Sequence, residues 1–336
     1  MKVLLVSGSY PPVFCGIGDY TLKLSEALQH SGIEVEVLAN INWSLRNIFY
    51  IKRTISEINP DIIHIQYPSV GYGFSLVPQL LSLMYKTIVT IHEVSQSYWM
   101  RKLSLMPFSF RSTLIFTNSF ELSAFKKIFP WRTSNCHIVP IGSNISVNSN
   151  IKNTKDRNFE NIVYFGQIRP QKGLESVVEL AKLIKENNLN YRLIVVSQLF
   201  ERFKSYYEYI FNSAKDLNIE WKLNLSESNV GEILSSNALC YLPFPDGASE
   251  RRGSLFAALN NKMLVFTTEG TQITPSIKKS VLITDFPNDV IGILRDNSKN
   301  TFISMANAKQ NHIEALIKSI SWPEIAKSHT DIYSVL

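Results

Sequence analysis

The sequence holds only three cysteines, Cys15, Cys136 and Cys240, in 336 residues, and no CxxC pair. That usage excludes a disulfide framework and a cysteine zinc site, and it fits a reducing compartment. Long apolar runs are missing too. The most apolar stretch, 71–91, is interrupted by Pro78, Gln79 and Lys86, whereas a membrane-spanning helix needs ~20 largely apolar residues. Near the start, Val3-Leu4-Leu5-Val6 is too short for a secretion-signal core before Gly8, Pro11 and Pro12 turn the chain. A cytoplasmic protein is therefore expected. Charge excess is small: 34 Lys and Arg against 28 Asp and Glu leave +6. This suits an anionic small ligand or an anionic membrane surface, but is too little to argue for nucleic acid. Closely spaced carboxylates are rare. Glu34-Val35-Glu36 is the one acid-x-acid spacing, on a predicted strand that sends both side chains to one solvated face. No catalytic metal is expected. The chain also lacks GxGxxG, which counts against a dinucleotide oxidoreductase.

What is present is a two-domain quantity of apolar material, 45% of the residues. Short β-branched runs alternate with amphipathic stretches, the pattern of a parallel sheet wrapped by helices. Strands are predicted at Lys2–Ser7, Glu34–Leu38, Asp61–Gln66, Thr87–His92, Leu114–Asn118 and His137–Pro140. A helix is predicted over Asp19–His30, and another from an N-cap at Ser119 to Phe129, stopped by Pro130. Residues 148–161 are polar, without apolar period, and read as a linker. The βα pattern then restarts, with strands predicted at Ile162–Phe165, Arg192–Ser197, Glu220–Leu223, Ala238–Pro243, Leu264–Thr267 and Val281–Ile283. The expected organisation is an α/β domain over 1–147 and a second over 162–320. A tail helix over 321–336 follows, capped by Ser321 with Pro323 in its first turn. Two doubly wound units predict a ligand cleft between their strand C-terminal edges.

Four loops carry candidate chemistry. After the first strand, Gly16 and Gly18 precede a helix, where backbone can approach an anion; an ordinary glycine-rich turn has the same spacing. His92, in Thr90-Ile91-His92-Glu93, ends a predicted strand, either facing a sugar hydroxyl or serving as a satisfied structural histidine. His64, inside a strand, reads as structural. The third loop, 166–175, places Arg169 and Lys172 beside a helix N-terminus, either a diphosphate cradle or a solvated basic turn. The fourth, 243–259, concentrates Asp246, Ser249, Glu250, Arg251 and Arg252 ahead of a helix starting at Gly253 and Ser254. It offers acceptors for sugar hydroxyls and donors for phosphate oxygens in one place. Aromatic and basic residues interleave at 98–103, 108–111, 125–127 and 131–132, as either a surface for anionic lipid or plain helix packing.

Taken together, the Pro-Pro…Gly-Ile-Gly-Asp-Tyr opening, Thr90-Ile91-His92-Glu93, Lys172-Gly173, the 243–268 segment and Ser321-Trp322…Ile325-Ala326 resemble retaining GT-B glycosyltransferases of the group 1 (family 4-like) type. Asp-Gly-Ala-Ser-x-Arg-Arg-Gly-Ser-Leu is similar to a bacterial surface-polysaccharide subgroup. The resemblance implies a GT-B fold, two Rossmann-like domains facing across a cleft. It implies a metal-independent, retaining transfer from a nucleotide-diphosphate sugar to a saccharide or lipid-linked acceptor, with no cofactor, at or near the inner face of the plasma membrane. Gly16 and Gly18 then match the loop near the donor diphosphate, His92 the histidine near the donor sugar, and Lys172 the diphosphate lysine. Glu250 matches the first of two family glutamates, with Asp246 competing for the sugar contact. The tail helix would cross back to brace the first domain. Two positions depart from the pattern. Gln167 stands where an arginine is usual, and the second glutamate falls on Ala258, or on Ala257 in a shifted alignment. A nucleotide-sugar epimerase of the same fold, or a catalytically silent partner subunit, are the alternatives.

Overall fold

The computed structural model describes residues 1–13, 15–95, 97–142 and 152–335. The chain divides into two compact units, one of the described residues up to 142 together with 320–335, the other of 152–319.

The first unit is built on six parallel strands, β1 (Lys2–Ser7), β2 (Glu34–Leu38), β3 (Ile62–Tyr67), β4 (Thr87–Ile91), β5 (Thr113–Phe116) and β6 (Cys136–Ile138), in the order β2-β1-β3-β4-β5-β6. Its helices are α1 (Gly16–His30), α2 (Ile48–Ile58), α3 (Val77–Met84), α4 (Trp99–Leu103), α5 (Phe108–Arg111) and α6 (Ser119–Ile128). Residues 3–6 of β1 are fully buried because helices cover both faces of the sheet. The pleat then sorts them. Leu4 and Val6 join Ile63, Ile65 and Val89 on one face, while Val3 and Leu5 join Ile62, Ile88 and Tyr20 on the other. Glu34 and Glu36 are both exposed on the outer face of β2, and Lys2 pairs with Glu34 at 2.9 Å.

The second unit repeats the plan with β7 (Asn158–Phe165), β8 (Arg192–Ser197), β9 (Ile219–Leu223), β10 (Asn237–Leu242), β11 (Leu264–Thr267) and β12 (Leu282–Ile283), ordered β12-β11-β10-β7-β8-β9. Its helices are α7 (Leu174–Glu186), α8 (Lys204–Ser213), α9 (Glu227–Ser236), α10 (Gly253–Asn260), α11 (Pro275–Ser280), α12 (Pro287–Asp296) and α13 (Lys299–Ser319). The last helix, α14 (Trp322–Ser334), belongs to the first unit. It packs on α1, burying Ile325, Ala326, Ile332 and Tyr333.

Three local expectations are corrected. Asn118, not Ser119, caps α6: its backbone is extended and its Oδ1 accepts from the Glu121 N–H at 2.8 Å. Strand β7 begins at Asn158, within the stretch read as linker, because Phe159 turns inward and Asn158 Oδ1 takes the N–H groups of Glu160 and Asn161. Ser321 occupies the N-cap of α14 but makes no side-chain capping bond, and Pro323 stands in the first turn. The rest of that polar stretch up to residue 151 lies outside the described residues.

Strand order locates the sites. In the first sheet the chain goes outward to β2 from one side of β1 and to β3 from the other. In the second, β8 and β10 flank β7 in the same way. A crevice opens at such a reversal, at the carboxyl ends of the strands. The loops after β1, β7 and β10 are the glycine and basic segments singled out above.

Candidate functional site

In the second unit the loops after β7 and β10 are held against each other by a glycine contact. Gly173 has φ +82, and a Cβ there would lie 1.9 Å from the Pro243 carbonyl oxygen. No other residue fits both the left-handed conformation and that approach. The Tyr164 hydroxyl, two residues before the loop, donates to the Lys172 carbonyl at 2.9 Å. Gly247, with φ +84, packs its backbone on Gly270, and Thr268 Oγ1 donates to the Phe244 carbonyl at 2.5 Å.

These contacts gather four cations, Arg169, Lys172, Arg251 and Arg252, with two carboxylates, Asp246 and Glu250. Lys172 is half-buried, and its ammonium is pulled down to about 8, first by burial and then by the neighbouring Arg169, Arg252 and Arg251. Among the described residues Lys172 has no carboxylate partner. Arg252 pairs with Asp246, lies with Cζ 4.7 Å over the Phe244 ring, and has its basicity lowered by burial and by Arg169. Of the two loop carboxylates, Asp246 is thus the one paired with Arg252. Burial raises the Glu250 carboxyl above its usual range. The Ser249 side chain is buried, and its Oγ has no hydrogen-bond partner among the described residues. An unsatisfied buried hydroxyl costs about 1–3 kcal/mol, which a ligand atom can recover. Gly253 and Ser254 open α10, which has no acidic residue in its first turn and no side-chain cap. At the positions of the second carboxylate stand Ala257 and Ala258, which have none and are fully buried in that helix. Gln167 is exposed in its loop.

The first unit collects the other candidates. Helix α1 begins at Gly16, three residues earlier than the periodicity shows. A Cβ at Gly16 would meet nothing within 4 Å, whereas one at Gly18 would press on Ser9 and Tyr10 backbone at 3.0–3.2 Å. Cys15 sits at the N-cap. Burial pushes its thiol up, but N–H groups of Gly18, Val70 and Ile17 and the Ser9 side chain outweigh this and leave it lowered. Backbone donors therefore converge at the start of α1.

His92 is buried just past β4, edge-on to Tyr20 of α1 with ring centroids 4.9 Å apart. Its Nε2 meets Gln66 Oε1 at 2.9 Å. Gln66 Nε2 faces His64 Nε2 at 3.2 Å, His64 Nε2 meets Thr90 Oγ1 at 2.7 Å, and His64 Nδ1 meets the Tyr333 hydroxyl at 2.7 Å. Assigning the protons to satisfy this chain puts one on His92 Nε2 and one on His64 Nδ1, leaving the His92 Nδ1 lone pair for a partner. Burial, with His329 nearby, pulls His92 down to about 3, so the ring is neutral at physiological pH. Gln66, Tyr333 and His329 escaped the sequence reading. Polar residues inside strands and on a tail helix carry no local signal of mutual contact.

No protein-family model matches the sequence, and comparison with curated proteins finds no match. Solved structures do match, over nearly the whole chain. Sucrose-phosphate synthase from Thermosynechococcus elongatus superposes with a TM-score of 0.73 at 13% identity, covering 99% of this chain and 98% of its own. The chain has the GT-B fold. WaaG, a glycosyltransferase involved in lipopolysaccharide biosynthesis, gives 0.63 at 14% identity with 99% of each chain covered. The catalytic domain of starch synthase IV from Arabidopsis thaliana, bound to ADP and acarbose, gives 0.67 at 11%, covering 99% and 98%.

Proposed function

We propose that the protein is a glycosyltransferase that moves a sugar from a nucleotide-diphosphate donor to a saccharide or lipid-linked acceptor, retaining the anomeric configuration. The observation that carries this reading is Lys172, partly buried among Arg169, Arg251 and Arg252 with no carboxylate partner among the described residues. A cation held in such surroundings is stabilised by an anion arriving from solution. Departure of a nucleoside diphosphate builds negative charge, and this lysine, the arginines and the amino end of α10 stabilise it electrostatically. The bond from the anomeric carbon to the diphosphate oxygen breaks, the acceptor oxygen bonds on the same face, and the acceptor proton leaves with the diphosphate. Ser249 and Glu250 are the acceptors for sugar hydroxyls. His92, neutral and with Nδ1 unassigned, accepts a hydrogen bond from a substrate hydroxyl. A role in surface-polysaccharide synthesis is part of the same proposal, supported by the Asp246–Leu255 segment and the likeness to WaaG.

The test is titration calorimetry with UDP, GDP, dTDP and ADP, followed by turnover of the matching nucleotide sugars with and without a lipid-linked acceptor. Acceptor-dependent transfer supports the reading; donor epimerisation without acceptor, or binding without turnover, overturns it. Because protein cations supply the charge, EDTA is expected to leave turnover largely intact. Activity abolished by EDTA and restored by Mn²⁺ removes the metal-independent part of the proposal.

A further inference from the structure

The second unit has a cavity that the candidate site does not use. Its volume is about 790 Å³, within the range of small-molecule sites. Residues 158–161 at the start of β7, Asn237 at the start of β10 and Lys299 at the start of α13 line it. It therefore lies at the amino ends of the strands. The Lys172 loop follows Phe165 at the other end of β7, roughly 23 Å away at the rise of a parallel strand.

One wall of this cavity is Arg157, whose side chain is buried. Its Nε donates to the Lys152 carbonyl at 3.0 Å, and its Nη1 donates to the carbonyl of Asn261, the residue that ends α10. A cation at a helix carboxyl end is favourable, so these two bonds have a structural reason. Nη2 has none: it is buried and without a partner among the described residues. The charge is uncompensated as well. Burial alone pulls the guanidinium down to about 10, with no acid raising it, although Asp156 and Glu160 also line the cavity from its exposed side. A buried charge left unpaired is costly, and an anion arriving from solution offsets that cost.

The other groups narrow the ligand. Lys152 and Lys299 are exposed cations on the same cavity, with Lys299 Nζ 5.6 Å from the Phe159 ring centroid. Three cations around one guanidinium fork suit a phosphate. A bare phosphate would leave most of the volume unfilled. An apolar ligand would leave Asn190, Ser236 and the two carboxylates without partners. Sugar hydroxyls both donate and accept, and so match amides, hydroxyls and carboxylates together.

We propose that this cavity is a second ligand site, for a sugar monophosphate, with the phosphate on Arg157, Lys152 and Lys299 and the hydroxyls on Asn190, Ser236 and Glu160. It is separate from the loops assigned to the nucleotide diphosphate and does not depend on the transferase reading.

The experiment is titration calorimetry of the full chain with glucose 6-phosphate, glucose and inorganic phosphate. Glucose 6-phosphate is expected to bind about ten-fold or more tightly than either of the others, and less tightly as salt rises. Arg157→Lys keeps the charge but not the planar fork, and should weaken binding about ten-fold or more. Lys299→Glu places a carboxylate in the first turn of α13, where the helix dipole favours it, so Tm should hold. It too should weaken binding about ten-fold or more. If Arg157→Lys fails to fold, Lys299→Glu decides. Lys172→Met should leave glucose 6-phosphate binding unchanged. No binding, equal binding of glucose or inorganic phosphate, or parental affinity in Lys299→Glu overturns the proposal. Loss of binding in Lys172→Met moves the ligand to the loops after β7 and β10 and overturns it equally.

Discussion

At the scale of single residues, the role proposed for Lys172 can be set against what its burial costs the empty protein. In the unfolded chain its ammonium titrates near 10.5; in the fold it titrates at about 8. Between those values the unfolded chain holds more protons, so this group's contribution to stability rises with pH across the window. It is lost as pH falls through 8. At neutral pH the charged lysine therefore weakens the apo fold. Lys172→Met is expected to raise Tm at pH 7 while weakening nucleoside-diphosphate binding roughly ten- to hundred-fold, the value of about 1.5–3 kcal/mol for a charge-assisted contact. In the parent, affinity should be flat below pH 8 and fall above it, and the variant should lose that dependence. Calorimetry at a series of pH values checks both. A variant with parental affinity removes Lys172 from the site. His92 allows a different separation. His92→Ala should lower kcat more than it weakens nucleotide binding, because a contact to the sugar acts in the transition state. A fallen Tm with unchanged kcat per folded molecule makes it a structural histidine.

At the scale of elements, the two loops of the second unit depend on one glycine. Gly173→Ala places a methyl 1.9 Å from the Pro243 carbonyl and forces an L-residue to φ +82. Strain of this kind costs on the order of 1–3 kcal/mol. It should part the loops and reduce nucleotide affinity even if the protein folds, as melting and calorimetry on one preparation would show. Gly16→Ala is the contrast. It meets nothing within 4 Å and lies in helical backbone, so Tm should hold. A loss of turnover there reports a ligand that comes close to the backbone. These elements were partly legible in the sequence. Alternating β-branched and amphipathic runs give the two sheets, and β1, buried on both faces, reads as a continuous apolar run from Val3 to Val6. Glycine and basic residues after β1, β7 and β10 mark the loops because turn chemistry is local. The Gly173–Pro243 approach was not legible, because it joins segments seventy residues apart through backbone atoms. Nor was the pairing of Asp246 with Arg252. Asn118 and Ser119 are both good caps, and only the extended backbone at Asn118 decides between them.

At the scale of the whole molecule, the chain's last helix is tied to its first sheet by uncharged imidazoles. His64 and His92 on the sheet and His329 on α14 are all buried, with His64 and His329 ring centroids 5.4 Å apart. His329 Nδ1 donates to the Ile325 carbonyl at 2.8 Å, and its buried Nε2 has no partner among the described residues. Burial pulls all three down, His329 to about 4, His92 to about 3, and His64 well below its ordinary value. Unfolded, each titrates near 6.5. Below that pH the unfolded chain binds protons that the folded one refuses, so stability present above pH 6.5 is lost progressively toward about pH 3–4. The slope is at most about 1.4 kcal/mol per pH unit for each histidine. Unfolding by urea at pH 7.5, 6.0 and 5.0 should show falling stability over that range. His329→Leu, which removes one of the three proton sites without leaving a charge or an unpaired nitrogen in the core, should make the fall shallower by about one proton. The Tyr333→Phe variant removes only the hydroxyl facing His64 and should keep the slope. If His329→Leu and the parent lose stability in parallel as pH falls, protonation of this helix contact is not what acid attacks.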